Sequence, residues 1–133
     1  MNTERPLVYL AGPYTQGDVA INVHGHAMLF HRLMDEGVVW PFMPVTSHML
    51  HLIVPRAYED WIALDMAYLQ RCDALLRIDV LLPVHARERD HRIIYHQYES
   101  AGAENEIREA QYIGRPVFYN RESLYVWAKG WKP

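Results

Sequence analysis

Two acids stand close together in the stretch Ser100-Ala-Gly-Ala-Glu-Asn-Glu-Ile-Arg-Glu-Ala-Gln-Tyr-Ile-Gly114. Ser100 can cap a helix through its hydroxyl, and Gly102 lets backbone approach a ligand. Glu104 and Glu106 then fall in what reads as the first turn. There the backbone N–H groups are unpaired and the dipole favours negative charge. Ile107, Ala110 and Ile113 supply an apolar stripe, Gly114 stops the helix, and Pro116-Val117-Phe118-Tyr119 reads as a strand. Carboxylates at the start of a helix that follows a strand lie at the carboxyl edge of a parallel sheet, where α/β proteins bind ligands. Two readings stand at this point: the glutamates complement the helix dipole, or one of them reacts.

The elements that would position these acids follow from the order of apolar runs. Leu7-Val8-Tyr9-Leu10-Ala11 reads as a buried first strand, broken by Gly12-Pro13-Tyr14. Asp18 or Asn22 caps the next helix, whose face is Val23, Ala27, Phe30 and Met34. Gly37 ends it, and Val38-Val39-Trp40 is the second strand. This strand–helix–strand unit implies parallel strands. Residues 41–55 read as loop, with the polar cluster Thr46-Ser47-His48 just past a strand end, an ordinary turn or part of a site. Trp61 to Arg71 reads as a helix with Ile62, Asp65, Met66 and Leu69 at core spacing. Asp65 on that side either enters a polar pocket or belongs to another face. Asp73 opens the next strand, where it either bonds backbone groups or meets a ligand. Residues 80–99, dense in arginine and histidine, form an insertion that reads mainly as loop beside the site. Arg121 to Trp131 closes the chain as a short helix. The fold expected is one α/β domain with a parallel sheet of about five strands and helices on both faces.

Composition bounds the partners. A chain of 133 residues with a formal charge of -3 and no basic stripe argues against binding a nucleic-acid polymer. No apolar run approaches the roughly 18 residues of a membrane span. The start lacks the hydrophobic region of a signal peptide, and the single cysteine, Cys72, fits a reducing, cytoplasmic compartment. Eight histidines are present, but none has the spacing of a zinc site, so neither metal nor cofactor is expected. Four tryptophans and nine tyrosines suit either a core or a subunit interface, and a homo-oligomer is the expectation.

Three motifs, in their order, carry a resemblance. Tyr9-Leu10-Ala11-Gly12-Pro13-Tyr14, Asp65 ahead of Asp73, and Ser100-x-Gly102-Ala103-x-x-Glu106 together resemble the nucleoside 2-deoxyribosyltransferase superfamily, over about residues 7 to 120. Ser47-His48 matches a pair that its small bacterial and phage members tend to carry after the second strand. The resemblance implies a flavodoxin-like three-layer sandwich that cleaves or transfers the N-glycosidic bond of a nucleoside or nucleotide. It implies Glu106 as nucleophile, Asp65 as proton donor near the base, and Tyr9 as hydrogen-bond partner of the nucleophile. Gly12, Pro13, Tyr14, Ser47, His48, Asp73, Ser100 and Gly102 become candidate substrate-binding residues. Ser100 stands six residues before Glu106, where transferases often carry an acid for the sugar 5′-hydroxyl. Serine there is similar to deoxynucleoside 5′-monophosphate N-glycosidases, where it helps hold phosphate; it also matches a plain cap. The alternative class on the same fold is a non-catalytic nucleotide-binding or sensor domain. A weaker one is a hydrolase of another nucleotide-derived ribose.

Overall fold

Four short strands form the centre of the molecule. In the computed structural model, which describes residues 4–12, 19–78, 81–83, 95–97 and 101–133, they are all parallel. They are β1 (Leu7–Ala11), β2 (Trp40–Phe42), β3 (Ala74–Arg77) and β6 (Val117–Phe118), in the order β2-β1-β3-β6. Five helices accompany them: α1 (Val19–Glu36), α2 (Ser47–Ile53), α3 (Tyr58–Leu69), α4 (Ala101–Tyr112) and α5 (Arg121–Lys129). Strand order and parallel pairing are compatible with a flavodoxin-like fold. Against the expected sheet of about five strands, four are present among the described residues. Two further strands, β4 (Leu81–Pro83) and β5 (Tyr95–Gln97), pair with each other antiparallel instead of joining it.

Side chains alternate across β1, as the pleat requires. Val8 and Leu10 enter one core with Leu33 of α1 and Leu124 and Ala128 of α5. Tyr9 and Ala11 enter a second core with Leu69 of α3 and Ala103, Ile107 and Ala110 of α4. β1 is buried on both sides, which explains why its sequence is a continuous apolar run. Gly114, at φ 78°, ends α4 in a conformation that costs a side-chain-bearing residue steric strain. Asn120 caps α5 by accepting from the Ser123 N–H at 2.9 Å.

Several boundaries differ from the sequence expectation for physical reasons. The second strand begins at Trp40 and runs through Pro41, because β2 is an edge strand whose missing N–H leaves no ladder bond unmade. Within residues 41–55, read as loop, a 3-10 turn (Pro44–Thr46) leads into helix α2. Val23, Ala27 and Phe30 of the expected α1 face pack against the core, but the fully buried positions, Asn22, His26 and Leu33, are centred one place earlier and Met34 is exposed. Asn22 therefore lies inside α1 and is not its cap. Asp18 and the arginines Arg87, Arg89 and Arg92 lie outside the described residues.

Candidate active site

Glu106 sits one and a half turns into α4, not in its first turn, and is buried at 9% exposure. The dipole reading applies to surface charges near a helix end, so it does not account for a carboxyl group in this position. Its Oε1 accepts a hydrogen bond from the Tyr9 hydroxyl at 2.8 Å, across 97 residues of sequence. Tyr9 is fully buried in β1, with its ring 5.9 Å from that of Phe42. The strand fixes the phenol, and the phenol fixes the carboxylate.

Glu106 and Asp65 line one cavity of about 470 Å³, within the range of small-molecule sites. The wall runs from Leu10 and Gly12 at the carboxyl end of β1, past Pro44, Val45 and Ser47, to Tyr58, Trp61 and Ile62 of α3. Gly12 is tightly enclosed. A Cβ there would lie 3.0 Å from His26 Nε2, from Ile78 Cβ and from the Ile78 carbonyl oxygen. Two of those contacts do not belong to a flexible tip, so a larger residue there requires Ile78 to shift by a few tenths of an ångström.

Burial raises both carboxyl groups of the cavity. Burial raises the Glu106 carboxyl to about 7; the Tyr9 bond opposes the shift and the Asp65 charge adds to it. Burial alone raises Asp65 to about 6. One oxygen of Asp65, Oδ1, is buried without a hydrogen-bond partner among the described residues. Burial, ahead of the neighbouring Glu106 and Asp65 charges, pushes the Tyr9 phenol far above its ordinary value, so it remains a donor. Two carboxyl groups titrating close to neutrality in one cleft are suited to proton transfer and to nucleophilic attack. Burial likewise pushes the Cys72 thiol up to about 12, which leaves it unreactive. Among the described residues no group of three or more His, Cys, Asp or Glu could hold a metal ion.

The expected site residues divide cleanly. Tyr9, Gly12, Ser47, Asp65 and Glu106 come together around the cavity. Gly102 lies in the first turn of α4 and His48 in α2. Pro13, Tyr14 and Ser100 lie outside the described residues. Asp73 is a correction. Its Oδ2 accepts from the Leu7 N–H at 2.8 Å, and its own N–H donates to the Leu7 carbonyl at 2.8 Å. That places it at the amino end of parallel strands whose carboxyl end carries Gly12, so it clamps β1 to β3 and does not meet the cavity.

Glu104 has a role of its own. It pairs with Arg77, the last residue of β3, whose side chain is 8% exposed. The sequence reading missed Arg77, because a basic residue at a strand end looks like a surface position. It also missed His26, His51, Arg56, Tyr58 and Trp61 as cavity residues. His26 was open to discovery through its spacing of four from Asn22, which puts both on one helix face. The His51–Trp61 pairing spans two helices and had no sequence signal.

No protein-family model matches this chain, and no curated protein matches it in sequence.

Proposed function

We propose that the protein cleaves or transfers the N-glycosidic bond of a nucleoside or nucleoside 5′-monophosphate. The observation that carries the proposal is the buried Tyr9–Glu106 hydrogen bond in a cavity shared with Asp65. A donor fixed on one carboxylate favours its ionised, nucleophilic form. The second acid keeps one buried oxygen without a partner, open to a proton or to a polar ligand atom; in the free site it titrates slightly below Glu106, so the productive form is the minor of the two one-proton arrangements. This division of labour is that of retaining glycosyl transfer. Glu106 attacks the anomeric carbon, the bond from that carbon to the base breaks, and Asp65 gives its proton to the departing base nitrogen. The product is a glycosyl ester on Glu106. Water or the nitrogen of a second base then displaces Glu106 and restores its carboxylate, while Asp65 takes up the proton.

The aromatic wall of Tyr58 and Trp61 supports a flat heteroaromatic group as the ligand's base, since stacking on such rings is favourable for every base. The flavodoxin-like three-layer sandwich belongs to the same reading and is supported by the strand order and by the two cores on either side of β1. So do a cytoplasmic location and a homo-oligomeric state. No described helix is long and apolar enough to cross a membrane. The apolar, uncharged surface of α2 supports self-association. The test is incubation with a panel of nucleosides and nucleoside 5′-monophosphates, with chromatography of the free base. Base released from at least one of them is the expected result. A protein that binds nucleotides and releases no base is a sensor domain on this fold, and the reading falls.

A further inference from the structure

His51 lies in the last turn of α2 and faces the start of α3 across residues 54–57. Its Nδ1 accepts two hydrogen bonds, from the Trp61 indole Nε1–H at 2.9 Å and from the Arg56 backbone N–H at 3.2 Å. The two rings meet edge to face, 5.8 Å apart and inclined at 77°. A nitrogen that accepts cannot itself carry the proton, so this arrangement places the neutral ring's proton on Nε2. All three residues line the cavity that holds Asp65 and Glu106. The rest of α2 offers little to hold it in place: Met49, Leu50, Leu52 and Ile53 are 57–71% exposed. The indole, by contrast, is half-buried in the cavity wall, with its one polar atom satisfied by His51.

We propose that His51 is a positioning residue for Trp61, holding the indole as the face on which the ligand's aromatic base stacks, and thereby sets the site's preference for a flat base. The inference rests on the nucleoside reading of the cavity and goes beyond it by assigning the base-recognition wall to the α2–α3 corner. The chemistry of bond cleavage stays with Glu106 and Asp65, so His51 acts on ligand binding and not on the chemical step. Loss of the accepting nitrogen frees the indole to rotate and leaves its N–H without a partner. The expected result is weaker binding with the rate at saturation preserved.

The experiment uses His51→Leu, His51→Gln and Trp61→Phe in the whole chain. The indole N–H resonances of the four tryptophans are recorded by nitrogen–proton correlation NMR, with Trp61→Phe identifying the Trp61 signal. His51→Leu shifts the Trp61 resonance and leaves those of Trp40, Trp127 and Trp131 in place. In base-release assays KM rises about tenfold, the scale of one lost hydrogen bond to a positioned group, and kcat changes by less than about twofold. His51→Gln, whose amide oxygen can accept from the indole, returns both readouts toward wild type. An unmoved Trp61 signal, a fall in kcat that matches the rise in KM, or a glutamine variant that behaves like leucine overturns the proposal. The NMR arm requires no turnover. If the wild type releases no base at all, the glycosidic reading falls by itself, and the Trp61 signal in His51→Leu still decides whether His51 positions the indole.

Discussion

At the scale of single residues, the account rests on three groups whose protonation states are set by their surroundings. Productive attack requires ionised Glu106 and protonated Asp65, so one proton resides on the pair. Activity then rises as the pair loses its first proton and falls as it loses its second. With Asp65 at about 6 and Glu106 at about 7, the profile of kcat/KM against pH is expected to be a narrow bell centred between them. Tyr9→Phe removes the one contribution that lowers Glu106, the later of the two acids to lose its proton, so the falling limb moves to higher pH while the rising limb stays; an unmoved falling limb contradicts the role given to the phenol. Stability supplies a second check. Folding raises Glu106 above its ordinary value of 4.5, so the folded state holds more protons than the unfolded state between about 4.5 and 7. The cost of burying the charge is absent below that window and complete above it. Glu106→Gln keeps the volume and an acceptor for Tyr9. It is expected to raise stability at pH 8 by up to about 3 kcal/mol and to change it little at pH 4. Thermal melts at the two pH values measure this, and equal shifts at both contradict it. These residues were legible in sequence through motif order. Their pKa shifts were not, because burial is a property of packing.

The elements separate the acid proposed to react from the acid that holds the fold. Glu104 and Glu106 lie two positions apart on α4, so they project in different directions: Glu106 toward Tyr9 of β1, Glu104 toward Arg77 of β3. Removing Glu104 leaves a guanidinium that is 8% exposed without its carboxylate. Glu104→Ala is expected to cost about 1–3 kcal/mol in chemical denaturation and to leave kcat within about threefold of wild type. A loss of activity without loss of stability contradicts this division. α1, α3 and α4 were legible because their apolar spacing is helical over several turns. α2 was not, since seven residues between prolines give too few turns for a period. β2 was displaced because Pro41 argues against a strand until the strand is known to be at an edge. Asp73 was ambiguous because a carboxylate that clamps backbone and one that meets a ligand look alike in sequence.

The described residues form a small parallel sheet that gathers the carboxyl ends of its strands at one cleft, with the proposed catalytic pair on the side of α3 and α4. The α/β class was legible from alternating runs; the number of strands was not, because runs of two or three residues such as Val117–Phe118 leave almost no pattern. The exposed apolar surface of α2 carries no acid or basic Lys/Arg side chain, and such a face is complementary to its own copy. Light scattering is expected to report a homo-oligomer, and Leu52→Glu with Ile53→Glu is expected to return it to a monomer. A wild-type monomer at assay concentrations contradicts that expectation and leaves the cleft chemistry untouched. The central claim is that Glu106 is the nucleophile, and the direct measurement is base release by Glu106→Gln beside wild type on the best substrate of the panel. The account predicts a fall in kcat of at least about a thousandfold, with unchanged circular dichroism. A glutamine variant that releases base at the wild-type rate contradicts it.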